Sequence, residues 1–352
     1  MQETNRSKIL EVKHLEKRFP IHKGLFRKIV GNVHAINDLS FFIYEGETLG
    51  LVGESGSGKT TVGRALTRLI EPSAGEIRFR LKSGDWVDDV CKVDKDVLKT
   101  LRREVQTVFQ DPRSSLDPRM TVAEIIAEPL RVNSKLSTDE IMDKVREMLL
   151  LVQLDPESMS RFPHQLSGGQ RQRIGIARAL IIEPRLIICD EPVSALDVSV
   201  QAEIINLFIE LQKSLNLTLL FIAHDLSVVE HISDRVAVMY LGRIVEVAPA
   251  EELFKSPKHP YTECLLNSIP IAAVGRKDKK RTIIKGEIAD PTDIPSGCAF
   301  HPRCPYATDI CKQEVPQLKE VKPAHFSACL RIDEIGLSGF DEIQMKRDAL
   351  DE

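Results

Sequence analysis

Residues 47–70 read ETLGLVGESGSGKTTVGRALTRLI. The apolar run LGLV leads into a glycine-rich loop, and the loop into TVGRALTRLI. That order predicts a β-strand feeding the N-terminus of an α-helix. The loop, Gly53-Glu54-Ser55-Gly56-Ser57-Gly58-Lys59-Thr60 with Thr61 behind it, follows the GxxxxGK[ST] pattern. Glycines are needed there because the backbone must turn its N–H groups inward around a phosphate. Lys59 is then placed to bridge the β- and γ-phosphates, and the Thr60 hydroxyl to hold Mg²⁺. A plain glycine turn before a helix is the bland alternative, and the flanking strand and helix argue against it. The stretch predicts a nucleotide site.

The totals bound what surrounds this site. The 352 residues carry 48 Lys and Arg against 52 Asp and Glu, a formal charge of −4. No long basic block stands out, which argues against nucleic acid as the main partner. The opening MQETNRSKIL has no apolar signal region. The longest apolar runs, such as LLLV and LIIC, fall far short of the ~18 residues that span a bilayer. The expectation is a soluble, cytosolic protein whose work at any membrane comes through a partner. Length alone suggests two or three domains.

Outward from the loop, ILEVKHLEKRF and HAINDLSFFIY read as strands. Residues 79–100 are polar and acidic, an insertion or a long hairpin. From 120 to 182 the apolar spacing of three and four is helical, as in MTVAEIIAEPLRV and EIMDKVREMLLLV. RLIICDEP and TLLFIAHD are short, fully apolar strands. VQAEIINLFIELQKSL between them is an amphipathic helix, with Ile204, Ile205, Phe208 and Ile209 read as one face. RVAVMYLGRIVEVA reads as a hairpin turning at Gly242. This is an α/β pattern with a helical insertion at about 112–180. After Pro270 the composition shifts to a basic linker, GRKDKKRTIIKGE, and then to a cysteine-rich segment. The expected division is a nucleotide-binding domain over 1–270, an extension over 271–331 and a charged tail over 332–352.

Two carboxylates follow the strand LIIC. Asp190, at the strand end, is placed to hold Mg²⁺ through its water shell. Glu191 comes next, where a carboxylate can polarise an attacking water. Capping of the strand in solvent is the alternative for both, and the phosphate loop upstream weighs against it.

Leu166–Gln170, LSGGQ, joins these motifs, and the set resembles the ATP-binding cassette (ABC) family over residues 8 to about 270. The other family marks occur in order: Gln110 in VFQDP, Ser194-Ala195-Leu196-Asp197 after Glu191, and His224 in FIAHD. The resemblance implies a P-loop NTPase of the ABC type, a RecA-like core with an antiparallel β subdomain and a helical insertion. It implies that Gln110 ligates Mg²⁺ and senses nucleotide at the junction with a membrane partner. It implies that His224 contacts the γ-phosphate and that Asp197 belongs to the D-loop. It also implies that Ser167, Gly168, Gly169 and Gln170 act in trans, covering the ATP of a second cassette. Physics agrees, since a Ser-Gly-Gly turn at a helix start is a weak anion site. An aromatic ring stacks on adenine in this family; Phe19 is the candidate here and Phe26 the alternative.

Several stretches narrow the resemblance. QDPRSSLDPRMTV, PVSALDVSVQAEI and KSPKHPYTECLLNSIP look like the ATPase subunits of dipeptide and oligopeptide importers or their nickel-importing relatives. VGNVHAINDLSFFIYEGETLGLVGESG looks like the second of the two ATPases such importers carry. What this implies is an ATP-hydrolysing motor bound peripherally at the cytoplasmic face of the inner membrane. The implied partners are a second ABC ATPase subunit, two transmembrane permease subunits and an extracytoplasmic substrate-binding protein. Homodimer and heterodimer both stay open, as does the cargo. Cassettes of chromosome maintenance insert long coiled coils ahead of the signature, and no sustained heptads occur here.

Four of the seven cysteines, Cys298, Cys304, Cys311 and Cys329, are spaced C-x5-C-x6-C-x17-C in the extension. Four thiolates this close can hold a [4Fe–4S] cluster or a Zn²⁺. Structural zinc favours C-x2-4-C pairs, and neither short gap here is that small. The resemblance favours the iron–sulfur cluster, with zinc and unliganded thiols as alternatives.

Overall fold

The computed structural model describes residues 6–24, 28–269 and 290–340. Phe26, the basic linker and the last part of the charged tail lie outside the described residues. The chain begins with two long strands, β1 (Lys8–Lys23) and β2 (Lys28–Tyr44), then β3 (Thr48–Val52) and α1 (Lys59–Leu66) on either side of the glycine loop. β4 (Ala74–Arg80) and β5 (Trp86–Val87) form a hairpin, followed by α2 (Lys95–Glu104) and β6 (Val105–Val108). The polar segment 79–100 is thus part hairpin and part helix. Asp94 starts that helix by accepting from the N–H groups of Asp96 and Val97.

The helical insertion follows as α3 (Pro112–Ser115), α4 (Val122–Asn133), α5 (Thr138–Leu151) and α6 (Gly168–Leu180). Thr121 with Glu124 and Ser137 with Glu140 close capping boxes that fix where α4 and α5 begin. Alternation then resumes with β7 (Leu186–Asp190), α7 (Val198–Leu215), β8 (Thr218–Ala223), α8 (Leu226–Ile232), β9 (Arg235–Tyr240) and β10 (Arg243–Pro249). The hairpin of β9 and β10 turns at Leu241 and Gly242, both with positive φ. α9 (Ala250–Lys255) and α10 (Pro260–Ser268) precede the linker; α11 (Asp309–Gln313), β11 (Lys319–Lys322) and β12 (His325–Ser327) follow it. No helix among the described residues is long and apolar enough to cross a membrane.

Two sheets result. One is antiparallel, in the order β2-β1-β4-β5. The other runs β11-β12-β10-β9-β3-β8-β7-β6, with β9, β3, β8, β7 and β6 mutually parallel. Side chains of the parallel strands alternate between two cores. Ile187, Leu219 and Phe221 join the helical side with Ile125, Leu149, Ile174 and Phe208. Ile188, Leu220 and Ile222 join the other side with Leu15, Ile36, Val62 and Phe79. Covering both faces is why these strands read as unbroken apolar runs. One expectation needs correcting. The buried face of α7 is Ile204, Leu207, Phe208 and Leu211, while Ile205 and Ile209 are only partly buried beside it.

The extension is welded to the cassette's own sheet. β12 pairs antiparallel with β10, placing Glu246 opposite Ser327 and Val247 opposite Phe326. The Glu246 side chain is fully buried and accepts from the N–H groups of Lys258 and His259, the Thr262 hydroxyl and His325 Nε2. A buried carboxylate is tolerable only with such a complete set of donors.

Candidate active site

β3 ends at Val52 and aims the glycine loop at the N-terminus of α1. Gly53 has φ +156°, and a Cβ there would lie 2.1 Å from the Met239 carbonyl. Gly58 has φ +105°, and a Cβ would lie 2.0 Å from the Ala35 carbonyl. The loop is therefore pressed between β9 and β2, with room for backbone only. Ser57 donates its N–H to the Glu54 carbonyl at 3.2 Å, and its own carbonyl accepts from Gly242 N at 2.9 Å. Lys59 is buried, and its ammonium donates to the carbonyls of Gly53 (2.7 Å) and Glu54 (3.0 Å). Burial lowers its pKa, opposed by the charges of Glu191, Asp190 and Glu54. The ammonium thus folds back on the loop's own backbone, held by the carbonyls of Gly53 and Glu54.

The Thr60 hydroxyl, beside Thr61 in the first turn of α1, donates to Asp190 Oδ1 at 2.9 Å. Two residues 130 positions apart thus present hard oxygen donors at one point, the chemistry that suits Mg²⁺. Burial raises the pKa of Asp190, and the Thr60 hydrogen bond counters it. Next in the chain, Glu191 has φ +46°, a left-handed backbone that a side-chain-bearing residue seldom adopts. Its backbone is held from both sides. Glu191 N donates to the Ile222 carbonyl at 3.0 Å, and its carbonyl accepts from Ser194 N and Oγ. The carboxylate of Glu191 meets two other predicted residues. Gln110 Nε2 donates to Glu191 Oε2 at 2.9 Å, and His224 Nδ1 lies 3.4 Å from the same oxygen. Glu191 and His224 line a cavity of about 70 Å³ with Ser194, Gln201 and Asp225, room enough for water among polar partners. Gln110 does not meet Thr60 directly; its hydrogen bond is to Glu191.

Ser167 is the N-cap of α6 and forms a capping box with Gln170, each side chain satisfying the other's backbone N–H. Gly169 is pressed on Val200, with a Cβ position 2.6 Å from Cγ1, and Gly168 on Leu196 at 3.2 Å. The signature turn and the segment ending in Asp197 are thus one packed unit. Ser167 and Asp197 are exposed, and Val198 is 82 % exposed. On β1, Phe19 is 39 % exposed, with Lys17 Nζ 5.0 Å above its ring.

Cys298, Cys304, Cys311 and Cys329 converge on one small pocket with Phe300, His301 and Tyr306. Gly297 (φ +67°) lets the chain run close to Cys311, whose carbonyl accepts from Cys298 N at 2.8 Å. Burial, with the neighbouring thiols adding to it, pushes Cys304 up to about 12 and Cys329 up to about 11. Among the described residues no three His, Cys, Asp or Glu side chains stand close enough together to hold a single metal ion. An all-sulfur donor set is one that suits thiophilic centres, Fe–S or Zn, rather than hard cations.

Four contributors were not legible in the sequence. Tyr261 OH accepts from Glu54 N at 2.8 Å, Arg303 grips the Glu54 carboxylate, and the Met239 and Ala35 carbonyls form the wall behind the glycines. These contacts join residues up to 249 positions apart, and no local pattern marks them.

The fold and this geometry define a P-loop nucleotide hydrolase. The profile of the ABC transporter family matches residues 36–194, and that of the oligopeptide/dipeptide transporter C-terminal region matches residues 245–311. The oligopeptide transport ATP-binding protein AppF of Bacillus subtilis is 50 % identical over 331 residues, covering 94 % of this chain and 99 % of the relative. OppF of Haemophilus influenzae, also an oligopeptide transport ATP-binding protein, is 47 % identical, covering 93 % and 98 %. Among solved structures, cbiO1 of Clostridium perfringens, part of the ABC transporter complex cbiONQ, superposes with a TM-score of 0.59 at 30 % identity. It covers 70 % of this chain and 90 % of its own. The dimeric cassette MJ0796 bound to ADP and phosphate gives 0.59 at 27 %, covering 69 % and 99 %. The chain belongs to the ABC transporter family and is one of its ATP-hydrolysing cassettes.

Proposed function

We propose that this chain drives a peptide importer, as the second-ATPase type of its motor, bound to the cytoplasmic face of the inner membrane through partners. The observation that carries this reading is near full-length similarity to oligopeptide transport ATP-binding proteins, with the C-terminal region included. The partners on this reading are a second cassette, two transmembrane permease subunits and an extracytoplasmic substrate-binding protein. Reconstituted with them, the chain is expected to turn over ATP faster when peptide is supplied. Stimulation by Ni²⁺ and not by peptide would assign it to the nickel-importing relatives.

In the catalytic cycle, Phe19 stacks on adenine, and Gly53 to Thr61 wrap the phosphates with Lys59 between the β and γ groups. Thr60, Asp190 and Gln110 would hold Mg²⁺, which would neutralise charge on the phosphates. Gln110 would ligate through Oε1, which leaves its Nε2 free to keep donating to Glu191. Glu191 then orients the attacking water and accepts its proton, and His224 steadies the γ-phosphate. Ser167 to Gln170 of one chain, with Asp197, cover the ATP of the other. The exposure of Ser167, Asp197 and Val198 on one packed unit supports a partner surface there.

The four cysteines carry a [4Fe–4S] cluster on this reading, with Zn²⁺ as the alternative. What supports a thiophilic group here is the convergence of the four cysteines on one pocket. Anaerobic purification is expected to yield about four irons per chain with matching sulfide; one zinc per chain would overturn it.

A further inference from the structure

The glycine loop of this chain contains a carboxylate, Glu54, at a position the GxxxxGK[ST] pattern leaves open. An anion there opposes the polyphosphate the loop must accept, since like charges a few ångström apart repel strongly out of bulk water. The extension supplies the counter-charge. Arg303 Nη1 donates to Glu54 Oε2 at 2.6 Å, and Nη2 to Oε1 at 2.8 Å, a two-pronged grip. The Arg303 side chain is only 4 % exposed, so water and salt screen the pair little.

The other groups of Glu54 are also engaged. Its N–H donates to Tyr261 OH at 2.8 Å, and its carbonyl takes the Lys59 ammonium. Arg303 stands one residue before Cys304, in the 3-10 turn His301–Arg303. That turn is anchored by Phe300, whose ring lies 5.3 Å from Tyr240 and 5.2 Å from Tyr261. The cysteine-rich extension therefore reaches residue 54 of the phosphate loop directly through Arg303, and through Phe300 packed on Tyr261.

We propose that Arg303 is a positioning residue for ATP, neutralising Glu54 and fixing the loop at residue 54 so that nucleotide affinity depends on the C-terminal extension. It touches no substrate itself and acts through Glu54.

The test uses the full chain and equilibrium binding of ATP with Mg²⁺. Arg303→Ala leaves the Glu54 charge bare and is expected to weaken ATP binding about tenfold, or about 1.4 kcal/mol. In turnover the loss is expected in KM, with kcat at saturation within about twofold, because the interaction acts on binding. Glu54→Gln combined with Arg303→Ala removes both charges and is expected to restore affinity to within about threefold of the parent. Parental affinity in Arg303→Ala alone would overturn the proposal. So would a double variant as weak as the single one, since Arg303 would then serve only the folding of the extension.

Discussion

Single residues decide whether the phosphate loop can exist. Gly56 and Gly58 both have positive φ, yet their surroundings differ. A Cβ at Gly56 meets nothing within 4 Å, whereas one at Gly58 would overlap the Ala35 carbonyl. Gly56→Ala is therefore expected to cost only the backbone strain, about 1 kcal/mol. Gly58→Ala adds a backbone collision and is expected to cost about 3 kcal/mol or more and to weaken ATP binding at least about tenfold. Urea unfolding with ATP titration checks both, and equal effects would show that the wall behind the loop yields. The glycines and Lys59 were legible because their spacing is local. The sequence did not distinguish Gly58 from Gly56, because the Ala35 carbonyl that separates them belongs to another strand. The left-handed backbone at Glu191 was equally hidden, being enforced by Ile222 and Ser194.

Among the elements, strands and helices whose both faces or one face carry an apolar pattern were readable, as β7, β8, α4 and α5 show. The pattern over α7 identified a helix but turned its face toward Ile205 and Ile209, since a run this rich in isoleucine and leucine offers two overlapping stripes. The joining of β12 to β10 was not legible, for three residues of strand carry no period. That junction surrounds His259, which caps α10 by accepting from Tyr261 N and is buried beside the Glu246 cluster. Burial drives its pKa down to about 3 from an ordinary 6.5. The folded chain thus keeps this imidazole neutral while the unfolded chain protonates it below pH 6.5. Stability from this group is complete above that pH and is lost as pH falls toward 3. Between pH 7.5 and 5.5 the loss is about 1.4 kcal/mol. His259→Asn keeps a capping acceptor without the titration, so urea unfolding at the two pH values should show a smaller drop by that amount. Equal drops in parent and variant would mean that the imidazole is protonated in the fold.

At the scale of the molecule, the starts of α1 and α6 are proposed to face the phosphates of two different ATP molecules. α1 opens onto the glycine loop, Asp190 and Glu191, while α6 opens outward at Ser167 beside exposed Asp197 and Val198. The order and spacing of the motifs are what suggest this division. The extension's grip on the loop was not legible, because Arg303 and Glu54 meet only after the sheet has closed. Glu191 is the group proposed to activate water at this loop. Measured on the full chain, with bound ATP and released phosphate followed in one experiment, Glu191→Gln is expected to bind ATP with parental affinity. Its phosphate release is expected to fall at least about a hundredfold, the scale of a lost general base. Undiminished phosphate release by that variant would contradict the mechanism and move the catalytic carboxylate elsewhere.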